Sequence, residues 1–239
     1  MSDQAAVVST SLRSASAIER WSLANAIGVL GATAGAGWAA HPWPILIVGS
    51  GLLGGLVLVA WRRWTPTGRF GSANGVTALR MGLLFLLPPA ATAGPFPLIA
   101  LSLVVFATDG LDGWLARRGN LESAFGAFFD KETDALFLLV LCALAAFQGR
   151  LPDWILGAGL LRYGFVVVLF LLPPAEKTEE RSTWARYVYA GMVLSLLTSF
   201  LPVPALYNPL VALATGALVL SFARSLWRIV PRRQPFRGS

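Results

Sequence analysis

Long apolar runs separated by short polar loops dominate this chain. Eight runs approach the roughly 20 apolar residues that a membrane-spanning helix needs. They cover residues 22–40, 45–61, 75–92, 97–118, 121–148, 152–173, 184–202 and 207–229. The pattern predicts an all-α integral membrane protein.

Composition supports a membrane protein and limits the other classes. Hydrophobic residues make up 56% of the 239 positions and charged residues only 13%, whereas soluble domains carry about 25% charged residues. The single cysteine, Cys142, excludes an internal disulfide framework. The net charge of +7 is explained by loops beside membrane helices, so we expect no nucleic-acid partner.

The positions of Lys and Arg predict the topology. Nearly all loop cations fall on the side of the N-terminus, and the opposite loops hold only Arg150. Because cytoplasmic loops are enriched in Lys and Arg, we expect both termini in the cytoplasm. Residues 1–21 are then a polar cytoplasmic tail, since no apolar stretch follows the N-terminus closely enough for a signal peptide. Residues 231–239 form a basic cytoplasmic tail.

Acidic residues are concentrated between the fourth and fifth runs. Four of the six aspartates lie there: Asp109, Asp112, Asp130 and Asp134. Within each pair the spacing of three or four residues puts both carboxylates on one helix face. We expect Gly126 to allow a close approach of the two helices, and Gly119-Asn120 to end the first helix and cap the second.

Carboxylates in or beside hydrocarbon are costly unless they are paired. Hard oxygen ligands favour Mg²⁺, Mn²⁺ or Ca²⁺, so the four aspartates predict a site for one or two divalent cations. Glu132 points about 200° away from Asp130 on a helix, and we leave it out of that site.

The same stretch matches a family signature. It reads D-x2-D-G-x2-A-R-x8-G-x3-D-x3-D over residues 109–134, and so resembles the CDP-alcohol phosphotransferases (CDP-alcohol phosphatidyltransferases), membrane enzymes of phospholipid synthesis. The resemblance implies a six-helix transmembrane core at 70–230, preceded here by two additional N-terminal transmembrane helices at 22–65. It also implies a homodimer. The Lys and Arg bias places the site at the cytoplasmic face of the cell (inner) membrane.

The resemblance implies roles for individual residues. Asp109, Asp112 and Asp130 would hold two Mg²⁺ or Mn²⁺ ions, and Asp134 would act as general base while also touching a metal. Contacts to the CDP-alcohol would come from residues of the signature and from a short element before the third run: Gly113, Ala116, Arg117, Ser123, Gly126, Asn74, Gly75, Val76 and Thr77. From the residues alone, Asn74 is equally an ordinary N-cap of the third run.

Three arginines lie in or beside the apolar runs. Arg80 and Arg162 are inside runs and Arg186 begins one. An arginine within the membrane rarely faces lipid, so each is either a structural partner or a contact for an anionic substrate group. We name Arg162 and Arg186 as candidates for the acceptor or an anion.

The implied reaction moves a phosphatidyl group from CDP-diacylglycerol to a small polar alcohol and releases CMP. Glycerol phosphate, inositol phosphate and serine all remain open as acceptors. One competing hypothesis is an intramembrane prenyltransferase that binds Mg²⁺-pyrophosphate through aspartates. Another is a cation-coupled transporter, although that class spreads its acidic residues across the membrane depth. A third is a family member that has lost activity.

Overall fold

A computed structural model describes residues 2–61, 63–118, 123–171 and 183–229. This part of the chain is helical and forms no strand. The helices are α1 (Ser2–Ala39), α2 (Trp43–Val59), α3 (Ser72–Leu84), α4 (Leu87–Ala93), α5 (Pro95–Arg118), α6 (Ala124–Phe147), α7 (Trp154–Leu171), α8 (Thr183–Thr198) and α9 (Pro204–Ile229). The all-α prediction is confirmed.

The third predicted run is not one straight helix. It is divided into α3 and α4, which are bent by 43° relative to each other. Pro88 and Pro89 lie in the first turn of α4. Proline lacks an N–H, and its ring clashes with the carbonyl four residues earlier, which for Pro88 belongs to Leu84, the last residue of α3. The proline pair therefore accounts for the break.

Two helices of the described chain are long and apolar enough to cross a membrane: Trp154–Leu171 and Pro204–Arg228. The bent pair α3 and α4 adds a third span if it crosses as one unit. The other helices are shorter or carry several charges, as α6 does with Asp130, Lys131, Glu132 and Asp134. The arrangement of six core spans and two additional spans stays a prediction.

Helix α1 already begins at Ser2 and so includes most of the predicted N-terminal tail. Residues 2–21 contain no glycine or proline that would end a helix. At 1.5 Å per residue the 38 residues of α1 extend about 57 Å, well beyond the roughly 30 Å hydrocarbon core.

Helix α6 forms the centre of the fold. Every residue from Ala135 to Ala146 is buried, and α6 packs against α1, α2, α3, α7 and α8. A helix that is apolar on all sides is expected in the interior. By contrast α9, which packs on α7 and α8, leaves large apolar side chains such as Leu213 and Leu220 exposed, as a lipid-facing helix does.

Glycines of the two leading helices allow close packing at some positions and not at others. A Cβ added at Gly28 would lie 2.6 Å from Leu52, and one at Gly49 would lie 2.8 Å from Leu136 of α6. Gly31, Gly35 and Gly37 face open space. Gly28 and Gly49 therefore serve helix contact, whereas the glycines at the end of α1 do not.

Candidate active site

Helix α3 brings three polar side chains to the interior. Asn74, Thr77 and Arg80 are three residues apart, and all are buried. A spacing of three places them along one helix face, and α3 packs with both α5 and α6. The spacing of three residues in the sequence already indicated this face of α3. The metal-site prediction, however, rested on the aspartate motif.

The start of α3 differs from the N-cap alternative. The helix begins at Ser72 after Gly71, whose φ of 79° favours glycine. Asn74 therefore lies within the first turn, where its Nδ2 donates to the carbonyl of Phe70 at 2.6 Å, and the N-cap interpretation is wrong. Gly75 is exposed and Val76 half-buried.

Arg80 occupies the centre of the acidic cluster. Its Nη1 lies 3.2 Å from Oδ1 of Asp109 and 2.9 Å from Oδ1 of Asp130. Its Nη2 pairs with Oδ1 of Asp134. The arginine side chain is only 1% exposed, whereas the three carboxylates are 21% to 35% exposed. The cluster is therefore closed on the arginine side and partly accessible on the other.

The three described aspartates converge, and α3 mediates the convergence. Helix α3 packs extensively against both α5 and α6, with Arg80 reaching carboxylates on each. Gly126 was expected to bring α5 and α6 together. Instead, a Cβ at Gly126 would lie 2.9 Å from Oδ1 of Asn74, so Gly126 permits the approach of α6 to α3. The reason is that α3 lies between α5 and α6, so α6 contacts α3 at Gly126.

The described carboxylates fit a hard divalent cation. Asp109, Asp130 and Asp134 each offer one oxygen, and these oxygens lie within 4.8 Å of one another. Adjacent ligands of an octahedral Mg²⁺ are about 3 Å apart and opposite ones about 4.2 Å, so side-chain rotations that draw these oxygens together would form the site. Three carboxylates beside one guanidinium leave two formal negative charges, which matches a divalent ion.

Part of the motif lies outside this description. The backbone of α5 continues through Asp112, Gly113, Ala116 and Arg117 to Arg118, but their side chains are outside the described structure. Residues 119–122, which include Asn120 and Glu122, also lie outside the described structure.

The cap of α6 is Ser123. Its Oγ accepts from the N–H of Gly126 at 2.9 Å and donates to the carbonyl of Trp64 at 2.6 Å. Ser123 precedes Ala124, the first helical residue, so the expectation of a cap at Asn120 is wrong. A serine three residues before a helical N–H is a typical N-cap, and this signal was present in the sequence.

Glu132 lies away from the carboxylate cluster, as predicted. It is 1% exposed, and its Oε1 accepts from Nη2 of Arg162 at 3.0 Å. Its Oε2 accepts from Nδ2 of Asn25 at 2.8 Å. Arg162 thus has a carboxylate partner on the side of α6 opposite the aspartates, which corresponds to the structural alternative.

The first turns of α8 also reach the site. The hydroxyl of Tyr189 donates to the backbone carbonyl of Asp134 at 3.3 Å. Arg186, one turn earlier, is exposed. Tyr189 was not predicted, because a tyrosine inside an apolar run belongs to no recognisable motif.

A search against family models adds the deciding observation. The model described as CDP-alcohol phosphatidyltransferase matches residues 70–227, which include Arg80 and all four motif aspartates. The chain belongs to the CDP-alcohol phosphatidyltransferase family. No solved structure matches the chain.

Membership in this family indicates the general chemistry. The family transfers phosphate-containing groups in phospholipid synthesis, with a CDP-alcohol donor and an alcohol acceptor. Helices α1 and α2 precede the matched range.

Proposed function

We propose that this protein transfers a phosphatidyl group from CDP-diacylglycerol to a small polar alcohol and releases CMP, at the cytoplasmic face of the cell membrane. The main support is the convergence of Asp109, Asp130 and Asp134 around Arg80. Carboxylate oxygens converge at this site, and the site is accessible from one side. Such a site can bind divalent cations together with a pyrophosphate-linked substrate. A prenyltransferase or a cation-coupled transporter has no comparable support from the signature.

In the proposed reaction the acceptor hydroxyl oxygen attacks the phosphorus of the phosphatidyl group. A new P–O bond forms, the bridging P–O bond to CMP breaks, and CMP leaves with the bonding electron pair. Asp134 takes the proton of the acceptor hydroxyl. Bound Mg²⁺ or Mn²⁺, held by Asp109, Asp112, Asp130 and Asp134, would neutralise charge on the pyrophosphate oxygens.

Arg80 holds the carboxylates together before substrate arrives. Two carboxylates about 5 Å apart repel by about 3 kcal/mol at an effective dielectric constant of 20. The guanidinium offsets this repulsion because it contacts all three described aspartates. When cations take over the carboxylates, a substrate phosphate that enters the cluster would give the buried guanidinium a new anionic partner.

The remaining residues follow the family roles. Gly113 and Ala116 leave room for the cytidine nucleotide, and Arg117 contacts phosphate. Asn74, Gly75, Val76 and Thr77 hold the CDP-alcohol together with Gly126 and Ser123, although the Ser123 hydroxyl also caps α6. Arg186 is exposed near Tyr189 and is our candidate contact for an anionic acceptor. Arg162 pairs with Glu132, and we omit it from the site.

The test is CMP release by the purified protein in detergent. It would be incubated with CDP-diacylglycerol, Mg²⁺ or Mn²⁺ and a panel containing glycerol phosphate, inositol phosphate and serine. We expect CMP release with one acceptor. Asp134→Asn should lower kcat by at least a hundredfold while CDP-diacylglycerol still binds, because the amide cannot accept the proton.

The matched control is Asp153→Asn, an exposed aspartate before α7, which should keep wild-type turnover. No CMP release with any acceptor would refute the proposed transfer. Undiminished turnover of Asp134→Asn would remove Asp134 as the base.

A further inference from the structure

A buried polar connection joins the leading helices to the site-bearing helix. Asn25 of α1 is 1% exposed, and its amide donates to Oε2 of Glu132 on α6. The other carboxylate oxygen accepts from Arg162 on α7. Three helices therefore meet at one buried carboxylate, and one of them lies outside the family-matched residues 70–227.

Glu132 depends on both donors. A carboxylate with 1% exposure has lost its hydration, so each oxygen needs a hydrogen bond from the protein. In the described structure Asn25 supplies the bond to Oε2 and Arg162 the bond to Oε1. Removing the Asn25 amide leaves Oε2 without this donor, and a rotation or shift of α6 would let Glu132 find another partner.

Such a shift would reach the active site directly. Glu132 lies two residues after Asp130 and two before Asp134, on the opposite face of the same helix. A helix rotation of about 20° moves a side-chain oxygen some 6 Å from the axis by about 2 Å. Displacements of about 1 Å are enough to impair positioned chemistry.

Two further contacts from the leading segment hold α6. Gly49 of α2 fits against Leu136, where an added Cβ would lie 2.8 Å from Cδ1. The carbonyl of Trp64 accepts from Ser123, the cap of α6. The segment before residue 70 thus contacts α6 at its start, at Glu132 and at Leu136.

We infer that Asn25 is a positioning residue for the transfer reaction, and that it acts through Glu132 to set the rotation of α6 and hence the placement of Asp130 and Asp134. The two leading helices then contribute to the reaction by positioning α6. This inference rests on the proposed function for its activity readout, whereas its metal-binding readout is independent of it.

The experiment compares Asn25→Leu with wild type in the full-length protein. Leucine has the same branching at Cγ, is somewhat larger and cannot donate a hydrogen bond. We expect Mn²⁺ affinity, measured without donor substrate, to fall at least fivefold. We also expect kcat to fall at least tenfold, with a smaller change in KM for CDP-diacylglycerol.

The control is Thr33→Val on the same helix. Thr33 is buried, and within the described residues its hydroxyl donates a hydrogen bond to the carbonyl of Val29 in α1. It should keep wild-type Mn²⁺ affinity and kcat. Asn25→Gln, which retains an amide donor, should recover part of both losses.

A merely structural role predicts a different result. If Asn25→Leu lowers the thermal midpoint but keeps wild-type Mn²⁺ affinity and kcat, the inference is overturned. Should that variant fail to fold, Asn25→Ser, which leaves room for a bridging water, is judged by the same criterion. If wild type releases no CMP, the proposed function fails, and the Mn²⁺ affinity alone decides the role of Asn25.

Discussion

At the scale of single residues, Arg80 shows how neighbours decide the role of a charge. An arginine inside an apolar run has to find a partner, and the sequence left open whether that partner is structural or a substrate. The structure surrounds its guanidinium with Asp109, Asp130 and Asp134. Arg80 and a bound cation would therefore share the same three carboxylates.

This sharing of carboxylates predicts opposite effects of Arg80→Met on binding and on turnover. Without the guanidinium the cluster gains one formal negative charge, so Mn²⁺ should bind at least tenfold more tightly in the absence of donor, as isothermal titration would show. Turnover should fall at least tenfold, because a substrate phosphate loses its contact.

Arg150→Met provides the control, since Arg150 follows the far end of α6. Unchanged or weaker Mn²⁺ binding by Arg80→Met would contradict this prediction. If the methionine variant does not fold, Arg80→Lys replaces it: one ammonium cannot contact three carboxylates as the guanidinium does, so tighter Mn²⁺ binding is again expected.

At the scale of elements, the contact between α6 and α7 depends on a missing side chain. A Cβ at Gly159 would lie 2.9 Å from Cα of Leu139. Backbone atoms cannot turn aside as a flexible side chain can, so the helices approach as closely as small residues allow. This contact also holds Arg162 beside Glu132.

We expect Gly159→Ala to destabilise the protein by about 1–3 kcal/mol, the usual range for overpacking a core. A thermal unfolding scan in detergent would measure the loss. Gly157→Ala, two residues earlier on α7, meets open space and should be neutral or stabilising by up to about 1 kcal/mol, since alanine favours helix. Equal midpoints for both variants would contradict the close contact.

At the scale of the whole molecule, the site joins α3, α5, α6 and α8, while α1 and α7 hold α6 from the other side. A cation that binds aspartates on both α5 and α6 therefore stabilises the fold as well as the site. Ligand present at 100 times its Kd adds about 2.7 kcal/mol to the folded state.

Metal removal should accordingly affect stability and turnover together. We expect EDTA to abolish CMP release and to lower the thermal midpoint by several degrees, with Mn²⁺ or Mg²⁺ restoring both. Asp153→Asn should respond as wild type does. A midpoint that is the same with EDTA and with excess Mn²⁺ would argue against a cation site shared between helices.

The sequence by itself determined the helical class, the identity of the acidic residues and the positions of most helices, apart from the start of α1 and the break between α3 and α4. These are local properties, because apolar run length and residue spacing of three or four act within one helix. The spacing of Asp130 and Asp134 was enough to place both on one face, and the exclusion of Glu132 followed from the same 100° step.

Only the tertiary structure decided which helices meet. It placed α3 between α5 and α6, put Arg80 among the aspartates, moved the role of Gly126 to the contact with Asn74, and gave Glu132 both Arg162 and Asn25 as donors. Asn25 and Glu132 are 107 residues apart. No local pattern encodes such a contact, because it depends on how complete helices pack around α6.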